Sequence, residues 1–432
     1  MIIDWISSFP KFDGRWGIKL GLERMEALLE RMGNPHHQLQ FIHVAGTNGK
    51  GSTCAYLACI YQQAGYRVGR YTSPYILHFY DRMSVNGIDV TEQQLSIYAE
   101  QLKPHIEEIR FSEVGEPTEF EIVTLLAILF FIDQKVDLVV WETGLGGRLD
   151  ATNVVSPLAT VITNVGLDHL VHLGPTVEVI AREKAGIAKE GVPLFTGAEE
   201  PALSVILAKA QEVGAPYRVL GKEFGYSRKG YSLAGQAFDF YSTDIELHDL
   251  EISMLGEHQC KNAALAVRTV LHLSEQGVLP VEENDLRTGL KLTRWPGRLE
   301  IVRHHPLVLL DGAHNPHGAE ALAAALHELL GNRKLVLVLG ILQDKLVPGV
   351  IDPIVPFAHK IIVTAPNSPR AADVRDVEMF IRDRVTVPIE LIPNVAEAVD
   401  HAIRSIGSEE VVLVTGSLYT ISEARQFTSK KG

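Results

Sequence analysis

The chain has 432 residues, which suggests two or three domains, each long enough to bury a core of its own. Its 40 basic and 53 acidic side chains give a net charge of −13, which argues against general nucleic-acid binding but allows a local basic cleft. Three cysteines without paired or metal-ligand spacing, no signal-like stretch in residues 1–11 and no apolar run of the ~20 residues that span a bilayer predict a cytoplasmic protein without membrane partners.

The first predicted elements are a helix, a strand and a second helix. Apolar side chains recur at helical spacing over residues 15–32, and Gly33-Asn34-Pro35 ends that helix. An apolar strand follows over Phe41–Ala45, and a helix-like run extends over Cys54–Ala64. A glycine-rich turn joins this strand to the second helix.

That turn predicts a phosphate-binding loop. Its sequence is Gly46-Thr47-Asn48-Gly49-Lys50-Gly51-Ser52. In a strand, turn and helix of this kind, backbone amides converge on phosphate oxygens and a lysine neutralises their charge. Lys50 would reach the phosphates, and Ser52 or Thr53 offers a hydroxyl near a metal ion. The spacing is a shorter variant of the standard loop, because Gly51 separates Lys50 from Ser52; the alternative is a tight turn with an incidental lysine.

Residues 72–83 predict a long surface loop. They follow a strand-like run over Arg67–Tyr71 and combine Thr72-Ser73-Pro74 with aromatic side chains and mixed charge, without a regular period. Long loops often carry function, so two interpretations stay open: a functional loop and an ordinary surface connection.

A buried helix is predicted after Thr118. The four residues Thr118-Glu119-Phe120-Glu121 fit a capping box, in which Thr118 caps the helix and Glu121 reaches back. The next run, Ile122–Ile132, is apolar on all sides, as is typical of a helix inside a protein. Capping alone explains this motif without a ligand.

Polar residues follow two predicted parallel strands. Asp137–Trp141 is a continuous β-prone run with Glu142 at its carboxyl end, and Ala159–Val165 is followed closely by His169. Ligands of open α/β sheets bind at the carboxyl edge, so Glu142 and His169 are expected beside the phosphate loop, in a metal-binding role. Taken singly, each residue type is more often structural at such a position.

The remaining N-terminal elements are a helix over Pro175–Ala188, a small antiparallel patch over residues 216–255 packed on the main sheet, and a helix over Gly256–Leu273. Trp295-Pro296-Gly297-Arg298 then breaks the pattern. We therefore expect an N-terminal domain over residues 1–294, a linker over 295–298 and a C-terminal domain over 299–432.

The C-terminal domain alternates strands with helical stretches, which predicts a mostly parallel sheet. Its strand-like runs are Leu307–Leu310, Lys334–Leu339, Lys360–Thr364, Ile389–Ile392 and Val411–Val414. Asp311-Gly312-Ala313-His314-Asn315-Pro316 follows the first of these strands and Gly416-Ser417 the last. Both positions suit a ligand-facing edge.

From about Leu22 to Arg425 the chain resembles the folylpolyglutamate synthase and dihydrofolate synthase family, part of the Mur ligase superfamily of ATP-dependent amide-bond formers. The resemblance rests on the number and order of the shared motifs. These are Gly46–Ser52, Thr72-Ser73-Pro74, Glu142–Asn153, Asp168-His169, Glu183-Lys184-Ala185-Gly186-Ile187, Pro296-Gly297-Arg298 and Asp311–Pro316. It implies an α/β fold with a P-loop-type N-terminal domain, whose mostly parallel sheet has a small antiparallel patch beside it, and a Rossmann-like C-terminal domain.

The resemblance also implies roles for individual residues. The ATP contacts, beyond the loop Gly46 to Ser52, are Asn262, Arg298 and Asp311. The ligands of Mg²⁺, of which two ions are expected, are Ser73, Glu142 and His169. The folate-lining positions are Thr118, Glu119, Phe120, Glu121, Leu149, Asp150 and Ala151. The catalytic positions are Lys50, Lys184 and His314. Lys184 matches a lysine that the family carbamylates, and Ser417 is a further C-terminal contact.

The reaction implied is ATP-dependent addition of L-glutamate to a reduced folate, or to dihydropteroate, through an acyl phosphate. Tyr75 stands where many relatives have histidine, near the expected folate site. Three alternatives stay open: a ligase of cell-wall precursors, a nucleotide switch and a structural two-domain protein. The chain lacks coiled-coil heptads, so a monomer is expected.

Overall fold

The computed structural model describes residues 2–11, 20–343, 345, 347–407 and 409–430. Its internal contacts divide the chain into two compact units. The first consists of Met1–Ser227, Asp239–Leu250 and Lys261–Thr293. The second consists of Arg228–Phe238, Glu251–Cys260 and Arg294–Gly432.

The first unit is built on an eight-stranded sheet. Its strands are β1 (Phe41–Ala45), β2 (Val68–Tyr71), β3 (Met83–Val85), β4 (Ile88–Asp89), β5 (Leu138–Glu142), β6 (Ala159–Ile162), β7 (Leu194–Thr196) and β8 (Tyr217–Val219). They lie in the order β4-β3-β2-β5-β1-β6-β7-β8. The strands β2, β5, β1, β6, β7 and β8 are parallel to one another, whereas β3 pairs antiparallel with both β2 and β4. β1, β5 and β6 are buried along their whole length, as their continuous apolar runs predict.

Helices alternate with these strands along the chain. They are α1 (Ile2–Ser7), α2 (Glu23–Arg31), α3 (Lys50–Gln63), α4 (Glu92–Arg110), α5 (Glu119–Asp133), α6 (Leu170–Leu173), α7 (Val177–Ala185), α8 (Ala202–Val213), α9 (Glu257–Glu275) and α10 (Glu283–Leu292). A separate three-stranded sheet contains β9 (Phe224–Ser232), β10 (Gly235–Ser242) and β11 (Glu246–Ile252). In the described residues no helix is long and apolar enough to cross a membrane.

Three sequence predictions are corrected here. The helix predicted over residues 15–32 is α2, which begins at Glu23, directly after Gly21 and Leu22, because glycine disfavours a helix interior; the predicted stretch 15–19 lies outside the described residues. Helix α3 begins at Lys50 rather than Cys54, because Gly49 already makes the turn. Residues 217–219 pair in parallel with β7, so they belong to the main sheet.

The second unit carries the predicted parallel sheet. Its strands are β12 (Glu300–His304), β13 (Leu307–Leu310), β14 (Lys334–Leu339), β15 (Ala358–Ala365), β16 (Ile389–Asn394) and β17 (Glu410–Thr415), in the order β12-β13-β17-β14-β15-β16. All pairs are parallel except β12 with β13, and sequence patterning missed β12. The helices are α11 (Pro316–Leu330), α12 (Val347–Ile354), α13 (Val374–Arg382), α14 (Val395–Ser405) and α15 (Leu418–Lys430). The α/β fold class is confirmed, whereas the domain limits at 294 and 299 stay a prediction.

Candidate active site

Four neighbouring parallel strands bring the predicted site residues of the first unit to one edge. β2, β5, β1 and β6 are adjacent and run the same way. Parallel strands end at the same edge of a sheet, where α/β proteins bind ligands. The phosphate loop follows β1, Ser73 follows β2, Glu142 ends β5 and Asn164 follows β6.

The phosphate loop is a close-fitting turn that only glycine can make at two positions. Gly49 has a φ of 80°, and a Cβ atom there would lie 2.4 Å from Asn262 Oδ1. A Cβ atom at Gly46 would lie 1.9 Å from Thr163 Oγ1. The N–H of Thr53 donates to Gly49 at 2.9 Å, so the amides of residues 50–52 are the open first turn of α3. Open amides at the start of a helix bind anions, and the Asn262 side chain lies next to Gly49 at this helix start.

Residues directly after β6 form hydrogen bonds with Thr47 and Asn48 of the loop. The amide of Thr47 donates to the Asn164 carbonyl at 3.0 Å, and the amide of Asn48 donates to Asn164 Oδ1 at 2.9 Å. Thr163 Oγ1 donates to the Asn48 carbonyl at 2.6 Å. Two of the predicted ATP contacts, Thr47 and Asn48, therefore use their amides within the protein.

Two lysines converge on one carbonyl of the loop. Lys50 Nζ donates to the Gly46 carbonyl at 3.2 Å, and Lys184 Nζ donates to the same oxygen at 2.8 Å. Burial of Lys184, together with the positive charge of Lys50, lowers the pKa of Lys184 from 10.5 to about 7, against the opposing effect of Asp168. Lys184 therefore lies in the site, although its sequence position on α7 resembles that of an ordinary solvated lysine.

The oxygen atoms of Ser73 and Glu142 fit a magnesium ion. Glu142 is 4% exposed, its Oε2 accepts the Ser73 amide at 3.4 Å, and its Oε1 lies 3.8 Å from Lys50 Nζ. Ser73 Oγ is buried without a hydrogen-bond partner among the described residues. Hydroxyl and carboxylate oxygens are the ligands that Mg²⁺ prefers.

His169 is less closely tied to this pair. It precedes α6, its side chain is 43% exposed, and its Nε2 lies 4.0 Å from Asp168 Oδ2. Within the described part of the chain, no group of three His, Cys, Asp or Glu side chains is arranged to hold a metal. The geometry thus brings Ser73 and Glu142 together, and the role of His169 stays a prediction.

The loop after β2 is ordered by its own side chains. The Asp81 carboxylate accepts the amides of Ile76 and Leu77, at 3.1 and 2.7 Å from Oδ2. The Arg82 guanidinium lies 5.4 Å from the Tyr75 ring centre, and the Tyr75 side chain is 38% exposed. The predicted loop contains a 3₁₀ turn, Phe79–Arg82, and its last residue, Met83, begins β3.

The capping box at Thr118 is confirmed. The Thr118 amide donates to Glu121 Oε2 at 2.7 Å, and the Glu121 amide donates to Thr118 Oγ1 at 3.3 Å. Arg24 also donates to both oxygens of Glu121, at 2.8 to 3.0 Å. Lys11 Nζ lies 3.1 Å from Glu119 Oε2. Both acidic residues are thus engaged in holding the start of α5.

Phe120, in one predicted folate-lining segment, packs on Gly144, which precedes the other predicted segment, Leu149 to Ala151. A Cβ atom on Gly144 would lie 2.4 Å from Phe120 Cζ, so the ring packs directly on the glycine-rich segment. Asp150 in that segment is buried, and its carboxylate accepts the Leu145 amide at 2.7 Å. Burial raises the pKa of Asp150, which its hydrogen bonds oppose. Leu149 and Ala151 flank Asp150 in the same segment.

The predicted contacts of the second unit lie together around Asp311. Its Oδ2 accepts the Leu299 amide at 2.9 Å and its Oδ1 accepts the Ala313 amide at 2.8 Å. Burial raises the pKa of Asp311, and Arg298 opposes that shift. His314 Nδ1 lies 2.7 Å from the Gly312 carbonyl. Asp311 thus ties the segment after Arg298 to the end of β13.

Ser417 has a structural contact of its own. Its Oγ accepts the Thr420 amide at 3.1 Å, at the start of α15, and the residue is 1% exposed. Thr420 Oγ1 donates in turn to the Gly340 carbonyl at 2.9 Å. Helix capping therefore accounts for Ser417.

Comparison with known proteins then identifies the family. The Mur ligase middle domain matches residues 44–270, and the Mur ligase glutamate ligase domain matches residues 297–418. A dihydrofolate synthase/folylpolyglutamate synthase of Bacillus subtilis is 42% identical over 428 residues, which cover 98% of this chain and 97% of that protein. The chain belongs to the folylpolyglutamate synthase and dihydrofolate synthase family. It is an ATP-dependent ligase of the Mur type.

Solved structures of this family share the whole fold. A folylpolyglutamate synthase of Thermotoga maritima superimposes with a TM-score of 0.86 at 36% identity, and the match covers 100% of this chain and 96% of that one. Escherichia coli FolC, in complex with DHPP and ADP, has a TM-score of 0.89 at 32% identity and covers 100% and 98% of the two chains. The resemblance stated from the motifs is therefore confirmed, and so is the fold that it implied.

Sequence reasoning missed two residues that shape this family member's site. Asn164 binds two amides of the phosphate loop, and its position after a buried strand was an available indication. Arg24, at the start of α2, donates to the Glu121 carboxylate although the two residues are 97 positions apart in the chain. No local sequence pattern indicates this pairing.

Proposed function

We propose that this ligase joins L-glutamate to a reduced folate, with dihydropteroate as a second acceptor, and releases ADP and phosphate. One observation carries the proposal: the phosphate loop and the Phe120–Gly144 contact both lie at the carboxyl ends of adjacent strands. This arrangement supports a nucleotide site and an acceptor site on the same sheet edge. The full-length similarity to dihydrofolate synthase/folylpolyglutamate synthases supports the choice of substrates.

In the proposed reaction, a carboxylate of the acceptor attacks the γ-phosphate of ATP. The amine of L-glutamate then attacks the acyl phosphate, which releases phosphate and leaves an amide. Catalysis of phosphoryl transfer depends mainly on positioning and on neutralisation of charge. Lys50 and the open amides of residues 50–52 bind phosphate oxygens, and Asn262 limits the space above Gly49.

We assign the magnesium site to Ser73 and Glu142, with His169 as a ligand on the strength of the family resemblance. A bound Mg²⁺ supplies positive charge at the phosphates and needs few protein oxygens. Lys50 Nζ lies 3.8 Å from Glu142 Oε1, so the carboxylate stands beside the phosphate loop. Arg298, Asp311 and His314 are the contacts that we propose for the C-terminal domain.

We further propose that Lys184 is carbamylated. Its neutral amine would attack carbon dioxide, form an N–C bond and lose a proton, which converts a cation into an anionic group for a second metal. The low pKa of about 7 supports this step, because much of the amine is neutral near pH 7. The variant Lys184→Ala is expected to lose activity and to regain part of it with added short carboxylates such as acetate. A fully active Lys184→Ala variant contradicts the assignment.

The function is tested by ADP formation with Mg·ATP and L-glutamate, with tetrahydrofolate or dihydropteroate as acceptor and with glutamate omitted as control. We expect glutamate-dependent turnover with both acceptors. If only one of the two acceptors supports turnover, the proposal is restricted to that activity. ADP formation that does not depend on glutamate favours a nucleotide switch. ADP formation only with cell-wall precursors as acceptors favours another ligase of the Mur superfamily. No turnover with any acceptor refutes the assignment.

A further inference from the structure

A buried histidine in the central strand has no role in the chemistry described so far. His43 is 0% exposed on β1, between β5 and β6. Its Nε2 lies 2.9 Å from Thr152 Oγ1, and its Nδ1 has no hydrogen-bond partner among the described residues. Burying a polar ring without hydrogen-bond partners for both nitrogens costs free energy, so a structural or functional role is expected for His43.

Thr152 connects that histidine to the folate-lining segment. Thr152 Oγ1 donates to Asp150 Oδ1 at 2.5 Å, and the Thr152 amide donates to the same oxygen at 3.0 Å. Because the Thr152 hydroxyl donates its hydrogen to Asp150, the hydroxyl oxygen accepts a hydrogen bond from His43 Nε2–H, which assigns the Nε2–H tautomer. Burial, with a smaller effect of the Lys189 charge, lowers the pKa of His43 to about 3, so the ring is neutral near pH 7.

A second strand residue holds Thr152 from the adjacent position. Trp141 pairs in register with His43, and its Nε1 donates to the Thr152 carbonyl at 3.0 Å. The hydroxyl and the carbonyl of Thr152 are therefore held by neighbouring residues of β1 and β5. Asp150 in turn holds the Leu145 amide, so residues 145–152 close around its carboxylate.

We propose that His43 and Thr152 are positioning residues for the pterin-bearing acceptor, because their hydrogen bonds fix Asp150 and with it the segment Leu149–Ala151. The proposal rests on the function proposed above, since it concerns the same acceptor site. The hydrogen bonds of this network join His43, Thr152, Asp150 and Leu145, and none of them involves the phosphate loop. Loss of the network should therefore weaken the acceptor site and spare the nucleotide site.

The variant Thr152→Val removes the hydroxyl at nearly constant volume. It leaves His43 Nε2–H without an acceptor and Asp150 without its shortest hydrogen bond. We expect the KM for the acceptor to rise about tenfold, since one buried hydrogen bond of the acceptor segment is lost, and the KM for ATP to change less than about twofold. Thr152→Ser restores the hydroxyl and should return the acceptor KM to near the wild-type value.

The control is Thr269→Val, in which a buried threonine of α9 loses a hydroxyl that donates to the Leu265 carbonyl at 2.8 Å. This variant should leave every KM unchanged. A double variant, His43→Leu with Thr152→Val, should be little worse than Thr152→Val alone, because both substitutions interrupt one chain of bonds. Equal rises in the KM values of ATP and acceptor, or a Thr152→Ser variant as impaired as Thr152→Val, would overturn the proposal.

A second measurement separates this proposal from the function itself. Amide hydrogen exchange at Leu145 and Thr152 should become faster in Thr152→Val and stay unchanged in Thr269→Val, with no substrate present. If the wild-type protein fails with every pterin acceptor, the proposed function falls, and with it the acceptor role, while faster exchange still shows that the network holds the segment. If exchange is unchanged in Thr152→Val, the positioning role falls even when the enzyme is active.

Discussion

Replacing Lys184 with methionine should make the folded protein more stable while abolishing catalysis. Lys184 is 4% exposed, and burial is the largest cause of its lowered pKa. A lysine of this kind is protonated more readily in the unfolded chain than in the folded one. Folding below the unfolded pKa therefore requires either loss of a proton or burial of a charge, and methionine, of similar length, requires neither.

The magnitude follows from the two pKa values. A shift from 10.5 to about 7, at about 1.4 kcal/mol per pKa unit, destabilises the folded state by close to 5 kcal/mol below pH 7. Methionine loses the hydrogen bond to the Gly46 carbonyl, which costs roughly 1 kcal/mol, although Lys50 still donates to that oxygen. Desolvation is the larger effect, so we expect a net gain of about 2–4 kcal/mol near pH 6.5.

The pH dependence has a definite sign. Between pH 7 and 10.5 the unfolded lysine binds more protons than the folded one, so the stability of the wild-type protein rises with pH across this window. The advantage of Lys184→Met should therefore shrink from pH 6.5 towards pH 10.5. Urea unfolding at several pH values measures it, in buffers freed of carbon dioxide so that the lysine stays an amine.

The matched control is Lys222→Met, because Lys222 is an exposed lysine of the same unit. Its free energy of unfolding should change by less than about 0.5 kcal/mol at every pH. If Lys184→Met is less stable than the wild-type protein at pH 6.5, or if its gain does not fall with rising pH, then burial of the amine is not the dominant contribution and the reasoning is wrong.

Three further substitutions test other parts of the site. Lys50→Ala should lower kcat by about 10³-fold with an unchanged circular dichroism spectrum, because the loop loses its phosphate-neutralising charge; a near-normal rate excludes this role. Arg24→Met should lower the free energy of unfolding by about 2–4 kcal/mol, because Glu121 is left buried with its charge uncompensated, and adding Glu121→Gln should recover part of the loss in urea titrations. Gly49→Ala should weaken nucleotide binding at least about tenfold by calorimetry, because alanine is strained at a φ of 80° and its Cβ atom would meet Asn262; unchanged binding would contradict this interpretation of the loop.

Much of the fold was predictable because it depends on residues close together in the chain. The limits of β1, β13 and β14 agree with the predicted runs, since buried parallel strands are continuous apolar segments. The capping box at Thr118 was also predictable, because its donors and acceptors lie within three residues. By contrast, the short edge strands β4, β8 and β12 carry no long apolar run, and their pairing partners decide their conformation.

The site divides in the same way. The phosphate loop and Glu142 at the end of β5 follow from the sequence alone, because each is a local pattern next to a buried strand. The motif order was sufficient to state the family, and the comparisons confirm it.

Only the tertiary structure decided what surrounds these residues. It brings Lys184 to the Gly46 carbonyl from 138 residues away, and Arg24 to Glu121 from 97 residues away. It also turns His43, an ordinary-looking residue before the phosphate loop, into the partner of Thr152. The physical reason is that burial and hydrogen-bond partners are properties of packed elements. A pKa, a tautomer or a positioning role depends on neighbours that become neighbours only when the sheet has formed.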